Sequence, residues 1–321
     1  MERFEGRVAV VTGGGTGMGR ELVQQLAGEG CHVATCDVSA EAMAETKLLA
    51  VGSAPPGTLV TTFVADVSDQ SQVASFRDAV STELLTDHIN LLFNNAGIGG
   101  GGSLITDDRD EWERTFGVDW GGVYHCTRAF LPMLMVADEG HVVNTSSLNG
   151  LWASIGPTTP HTAYCAAKFA VRGFTEALIT DFRVNAPHLH ASVVMPGHIG
   201  TSIVINSGRI HGREPESMDS EQLAMLRDQF TARGIAVDAV SDDDLRKGIK
   251  MIGETFRDAA PTSASEAATI ILAGVRRNQW RIIVGEDAEI IDQEVRADPE
   301  HAYDAEFWRA LRARGLFGVF E

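Results

Sequence analysis

The sequence predicts a doubly wound α/β fold, a mainly parallel sheet of about seven strands flanked by helices, and two observations carry that expectation. Short β-branched or apolar runs alternate with segments of helical periodicity along most of the chain, and the first run turns through glycines directly into a helix. Residues 7–11, Arg7-Val8-Ala9-Val10-Val11, read as a buried strand. Thr12-Gly13-Gly14-Gly15-Thr16-Gly17-Met18-Gly19 follows, and Leu22, Val23, Leu26 and Ala27 then form a helical stripe that Gly28 and Gly30 end. Strand, glycine turn and helix N-terminus together aim backbone N–H groups and the helix dipole at an anion, as a dinucleotide pyrophosphate requires. The plainer alternative is a glycine-rich surface turn, and the position between strand and helix argues against it.

Composition bounds the remaining choices. At 321 residues and 44% apolar content the chain builds a substantial core, and one domain spanning residues 1–321 is the expectation. A formal charge of −18 excludes nucleic acid and anionic membranes as expected partners, because both require basic patches. No apolar run approaches the ~20 residues of a membrane span. The first strand begins too early to leave room for a signal peptide, so a cytoplasmic location is expected. Cys31, Cys36, Cys126 and Cys165 form no C-x-x-C pair and read as buried free thiols, with no metal site.

Taken in order, residues 31–36 read as the second strand, followed by Asp37 and Val38. A carboxylate there accepts both adenosine-ribose hydroxyls and repels the 2′-phosphate of NADP, so NAD is favoured; the plainer role is a cap for the helix near Ala40. No Arg or Lys stands between Arg20 and Lys47 to neutralise such a phosphate. Residues 58–65 alternate as a strand that ends at Asp66-Val67, where Asp66 is equally readable as a helix cap. After a helix over about 69–85 and a strand over 89–93, the small residues of Asn94-Asn95-Ala96-Gly97 let backbone approach a cofactor. Gly99 to Gly102 read as a mobile rim loop or as simple slack, and residues 108–135 as one long helix whose aromatic stripe is packing.

Residues 141–145 read as a buried strand with Ser147 just beyond its carboxyl end, facing the crevice where open α/β sheets bind ligands. Tyr164 and Lys168 share a face of the next helix, over about 162–183. A phenol titrates near pKa ~10, and a fixed ammonium beside it favours the phenolate, which makes it a proton shuttle. The loop between, from Trp152 to His161, either bulges over the pocket, with Trp152 and Ile155 lining it, or faces solvent. A strand over 191–195 delivers Pro196-Gly197-His198-Ile199-Gly200-Thr201. Residues 202–262 contain two amphipathic helices, about 219–232 and 242–257, Ser241 capping the second. Ser263-Ala-Ser-Glu266 is a capping box, residues 280–284 form the last strand, and the tail over 286–321 is helical and amphipathic.

These motifs together resemble the short-chain dehydrogenase/reductase family, in its compact, single-domain, Rossmann-type branch. The matching residues are Thr12-Gly-x-x-x-Gly-x-Gly19, Asn94-Asn95-Ala96-Gly97, Ser147, Tyr164-x-x-x-Lys168 and Pro196-Gly197-x-Ile199-x-Thr201. The resemblance implies an NAD-dependent enzyme that interconverts a secondary alcohol and a ketone, with Ser147, Tyr164 and Lys168 catalytic. It implies cofactor contacts from the loop Gly13, Gly15, Thr16, Gly17, Met18 and Gly19, then from Asp37, Val38, Asp66 and Val67. Further contacts are implied from Asn94, Ala96, Gly97, Tyr164, Lys168, Pro196, Gly197, Ile199 and Thr201, with Asn94 bracing the central strands and Ile199 and Thr201 at the carboxamide. His198 either reaches the small-molecule substrate or is a passenger. Residues 202–262 become a substrate lid whose apolar faces suggest a bulky hydrophobic substrate, or simply dock on the core. A homodimer or homotetramer is implied, the tail sealing an interface or covering a neighbour's pocket. One residue departs from the pattern: Asp119, counted with the catalytic residues, stands where the family has Asn; it keeps the main-chain carbonyl that holds the relay water and adds a charge that could pair with Lys168 and weaken its effect on Tyr164. A non-catalytic NAD sensor and an NAD-retaining epimerase or dehydratase are the alternatives.

Overall fold

The computed structural model describes residues 1–232, 235–237 and 239–316. Its strands in chain order are β1 (Val8–Thr12), β2 (His32–Asp37), β3 (Val60–Val64), β4 (Leu91–Asn94), β5 (Gly140–Thr145) and β6 (Leu189–Pro196), then β7 (Ile199–Gly200), β8 (Thr262–Ser263) and β9 (Arg281–Val284). Seven of them form one parallel sheet in the order β3-β2-β1-β4-β5-β6-β9, and β7 pairs with β8 beside it. The sheet is the expected doubly wound one, with the order reversing between β1 and β4.

Both faces of the sheet are covered, which is why its strands read as continuous apolar runs. Ala9, Val11, Val33, Leu91, Phe93 and Val143 point to one side, against α1 (Gly17–Gly28) and α10 (Ala264–Arg276). Their neighbours Val8, Val10, Ala34, Leu92 and Val142 point to the other, against α3 (Gln70–Glu83), α5 (Gly122–Val136) and α6 (Thr162–Asn185). The alternation of partners along each strand is the period-2 pleat at work. α2 (Ala40–Ser53) connects β2 to β3 and is capped by Ser39, whose hydroxyl accepts from the Ala42 N–H. The predicted capping box at Ser263 and Glu266 and the Ser241 cap are both present.

The long helix after β4 is divided. α4 (Arg109–Phe116) runs into a π-turn (Gly117–Gly121) and then α5, so the register shifts by one residue at Asp119. Its aromatics pack as expected: Trp112 stacks on Phe116, while Trp120 and Tyr124 meet Phe174 of α6.

Between β7 and β8 stand α7 (Ile203–Ile210), a 3₁₀ turn (Pro215–Ser217), α8 (Ser220–Ala232) and α9 (Asp242–Asp258). The apolar faces of α8 and α9 pack largely on each other, through Leu223, Leu226, Phe230, Leu245 and Ile249. Much of the apolar face of each helix is thus covered, while Ile252 of α9 stays 52% exposed. The tail forms α11 (Glu286–Ala297) and α12 (Ala305–Ala313), and it folds back on its own chain. Its Phe317 and Phe320 lie outside the described residues. Among the described residues, no helix is long and apolar enough to cross a membrane.

Candidate active site

The carboxyl ends of β1, β2, β3 and β4 open into one groove of about 210 Å³. Thr16, Gly17 and Met18 at the head of α1 form one wall, Asp37 and Val38 a second, Asp66 and Val67 a third, and Ala96 and Gly97 a fourth, with Thr201 across the opening. Residues expected at a dinucleotide thus line one continuous groove. Gly13, at φ +67°, passes so close to the β4 turn that a Cβ on it would stand 2.7 Å from the Ala96 Cα. The strained backbone and the clash together predict that Gly13→Ala loses about 1–3 kcal/mol, read as a lower thermal midpoint and weaker NAD binding by calorimetry.

The Asp37 carboxylate is held by two backbone donors. Its Oδ1 accepts from the Ser39 N–H at 3.0 Å and its Oδ2 from the Gly15 N–H at 3.0 Å. The helix cap is Ser39, so the capping alternative for Asp37 is set aside. Asp66 likewise leaves the cap of α3 to Asp69; it binds Ser68 and pairs with Arg114 at 3.0 Å. Gly15 and Gly19 stand behind the groove, and Gly19 is packed where a Cβ would meet the Gly13 carbonyl. Asn94 is buried and donates to Asn144 and Thr127, bracing β4 to β5 and α5. Pro196 ends β6 and the Gly197 N–H donates to Val284, while Ile199 is buried in the core against α1 and α10 and is not among the groove's lining residues.

The catalytic candidates converge beyond the Gly97 end of the groove. Lys168 is 3% exposed, its Nζ 5.2 Å from the centre of the Tyr164 ring and donating to the Thr145 carbonyl at 3.3 Å. The Ser147 Oγ accepts from the Asn149 N–H at 3.1 Å, and its hydroxyl stands near enough to the Tyr164 phenol to draw that group's pKa down. Asp119 is 0% exposed; its Oδ1 accepts from the Ile98 N–H at 3.0 Å and lies 3.4 Å from Lys168 Nζ. Oδ2 of Asp119 has no partner. Gly97 joins this cluster to the groove, since a Cβ there would reach Asp119 Oδ1 at 2.7 Å and Lys168 Nζ at 3.1 Å.

Electrostatics within the cluster are set by burial and by the Asp119–Lys168 pair. Burial raises Tyr164 above the usual phenol range, and Asp119 pushes the same way; Lys168 and the Ser147 hydrogen bond pull it down without prevailing. Lysine thus acts in the expected direction but does not set the sign. Burial opposes the charge on Lys168, yet Asp119 and Tyr164 outweigh it and raise its pKa. Burial lifts Asp119 to about 6, against the pull of Lys168 and the Ile98 N–H. The Cys165 thiol, next in sequence to Tyr164, is pushed up to about 12 by burial and is inert.

Several side chains stand apart from the cluster. Trp152 does not line the pocket: it is 1% exposed, packed between Phe307 and Trp308 of the tail, with Nε1 donating to the Ala302 carbonyl at 2.8 Å. Ile155 is half-buried in the loop beyond it. The His198 imidazole is turned away to α9, where Nε2 meets the Phe256 carbonyl at 2.6 Å. The Gly99–Gly102 run is not slack. Gly101 and Gly102 carbonyls accept from the Ala163 and Thr162 N–H groups, satisfying free donors at the head of α6. A Cβ on Gly101, at φ +60°, would stand 2.5 Å from the Ala163 Cβ. The tail packs on Leu148, Leu151 and Trp152 of its own chain.

The sequence reading missed the groove contribution of α7. Asn206, Arg209 and Ile210 line the groove, as does Arg114, and Asn206 Nδ2 donates to Thr16 Oγ1 at 3.1 Å across it. The Ile203-Val204-Ile205 run carries a strand-like signal that hides the helix. Amide and guanidinium groups close behind the Thr201 motif were the available clue.

Known proteins share this arrangement. The family model described as short chain dehydrogenase matches residues 7–209. SadH of Mycobacterium tuberculosis, described as a candidate oxidoreductase, is 34% identical over 292 residues, covering 91% of each chain. Meso-2,3-butanediol dehydrogenase of Serratia marcescens is 36% identical over 179 residues, covering 56% of this chain and 66% of its own. Among solved structures, a short chain dehydrogenase/reductase from Burkholderia phymatum in complex with NAD superposes with a TM-score of 0.73 at 28% identity, covering 94% of this chain and 96% of that one.

Proposed function

The chain belongs to the short-chain dehydrogenase/reductase family, and on that premise we propose that it is an NAD-dependent enzyme interconverting a secondary alcohol and a ketone. The observation that carries this reading is the convergence of Ser147, Tyr164 and Lys168 beyond the end of a groove lined by Thr16, Gly17, Asp37, Ala96 and Gly97. A nicotinamide dinucleotide, held by the α1 head, Asp37, Asp66, Ala96, Gly97 and Thr201, supplies hydride acceptance or donation there. The chain's own residues supply orientation and the proton. Ser147 hydrogen-bonds the substrate oxygen, and Tyr164 takes the hydroxyl proton during oxidation or returns it during reduction. Lys168 stabilises the phenolate that oxidation requires and stands within the same cluster to bond the nicotinamide ribose.

Preference for NAD over NADP is part of the reading. Asp37 presents a carboxylate to the groove, and the nearby Arg20 is engaged by Glu45 at 2.6 Å and by the Gly15 carbonyl. Asp37→Ala is expected to lower kcat/KM with NAD by about tenfold to a hundredfold and to narrow the NAD-to-NADP ratio, measured with both nucleotides on one alcohol. The NAD complex of the Burkholderia phymatum neighbour and the butanediol named for the Serratia marcescens relative, which carries two secondary alcohols, support the same chemistry. The proposal includes a homodimer or homotetramer, supported by the exposed Tyr124 on α5 and Phe169 on α6.

The test is the appearance of reduced nicotinamide absorbance with secondary alcohols of graded size, NAD and NADP in parallel. Turnover with NAD supports the proposal. Nucleotide binding without turnover of any alcohol or ketone contradicts it.

A further inference from the structure

Ser147 is seated on a short turn, and that turn rests on the C-terminal tail. Ser147 caps a 3₁₀ turn (Leu148–Gly150), its Oγ taking the Asn149 N–H at 3.1 Å. The Asn149 side chain donates onward to the Trp152 carbonyl at 3.1 Å and the Ser154 carbonyl at 3.0 Å. Trp152 is fixed in turn by the tail, through the buried Nε1 bond to the Ala302 carbonyl and ring contacts 5.7 Å from both Phe307 and Trp308. Leu148 and Leu151 from the same turn share a buried cluster with Ile291, Trp308 and Leu311. The Ala153 N–H donates to the Tyr303 hydroxyl at 3.3 Å. The tail itself is anchored to the sheet, since Asp292 of α11 pairs with Arg281 of β9.

We propose that the tail, residues 286–316, is a positioning element for the catalytic serine, holding the 147–152 turn from behind so that Ser147 stays in register with Tyr164. The proposal rests on the dehydrogenase reading given above and deepens it. The residues in this chain of contacts are not among those lining the nucleotide groove. Cofactor binding is therefore independent of the brace, whereas the serine's contribution to turnover depends on it. Misplacing a reacting group by about 1 Å costs on the order of a hundredfold in rate, so loosening this seat falls on kcat.

The experiment uses the full chain with Trp308→Ala, which removes the ring behind Trp152, and Trp152→Phe, which keeps an aromatic ring but loses the bond to Ala302. Each is made alone and in a Ser147→Ala background. Trp308→Ala is expected to lower kcat by about tenfold to a hundredfold with NAD affinity by calorimetry held within about twofold. In the Ser147→Ala background the same substitution is expected to change kcat by less than about twofold, because two residues acting as a unit are non-additive. Trp152→Phe moves kcat in the same direction by a smaller factor, and it carries the test if Trp308→Ala fails to fold. Hydrogen exchange of the Asn149 amide is expected to speed up in both variants. This readout needs no turnover, so it separates failure of the brace from failure of the dehydrogenase reading. An unchanged exchange rate overturns the brace, and so does an equal loss of kcat with and without Ser147.

Discussion

Tyr164→Phe is expected to lower kcat by roughly three orders of magnitude, the middle of the range a positioned acid–base group contributes. The substitution removes one oxygen and leaves the ring. Burial of Tyr164 and its stacking on His161 at 4.7 Å therefore persist, and so does the cation 5.2 Å from its centre. NAD affinity by calorimetry and the thermal midpoint should accordingly stay near wild type. Loss confined to kcat assigns the phenol to the proton transfer. Retained turnover removes Tyr164 from the mechanism and with it the role given to Lys168.

The second large effect concerns pH. Alcohol oxidation needs Tyr164 deprotonated, so the rate rises with pH through the tyrosine's pKa. Burial raises that pKa, and the Asp119 charge raises it further. Asp119→Asn removes the charge while leaving an oxygen to accept the Ile98 N–H, which Asp119 Oδ1 takes at 3.0 Å. Without the carboxylate, Lys168 acts on Tyr164 unopposed, and the rising limb of kcat/KM for oxidation moves to lower pH. Oxidation below that limb becomes severalfold faster than in wild type. A pH–rate profile of both proteins checks this; a limb that stays put, or moves to higher pH, contradicts the coupling. Asp119→Ala makes a separate point. It leaves the Ile98 N–H without its partner in a fully buried setting and is expected to cost about 1–3 kcal/mol of stability, read by chemical denaturation.

Much of this was legible in the sequence because it is local. The strand beginning at Val8, the glycine turn and the stripe through Leu22 and Leu26 lie within a few residues of one another, and their periods announce strand and helix directly. Tyr164 and Lys168 are one helical turn apart, so their meeting follows from helix geometry alone. What was not legible depends on long-range contact. Trp152 meets the carbonyl of Ala302 across the length of the C-terminal half, and a tryptophan in a Pro- and Gly-containing loop carries no sign of such a destination. His198 turns toward Phe256 rather than the pocket for the same reason. The faces of α8 and α9 were readable as apolar, but periodicity names a buried face without naming its partner. The strand-like Ile203-Val204-Ile205 run concealed α7, where tertiary packing overrides a β-branched preference.

The measurement that tests the central claim most directly follows the hydrogen itself. A secondary alcohol deuterated at its carbinol carbon is incubated with NAD and the wild-type enzyme, and the reduced nucleotide and organic product are analysed by mass spectrometry. The account predicts deuterium in the reduced nicotinamide and an equal amount of ketone. Deuterium retained in the alcohol with bound but unreduced NAD would contradict it in favour of a sensor, and an isomerised or dehydrated product with no net reduced nucleotide would contradict it in favour of an epimerase or dehydratase.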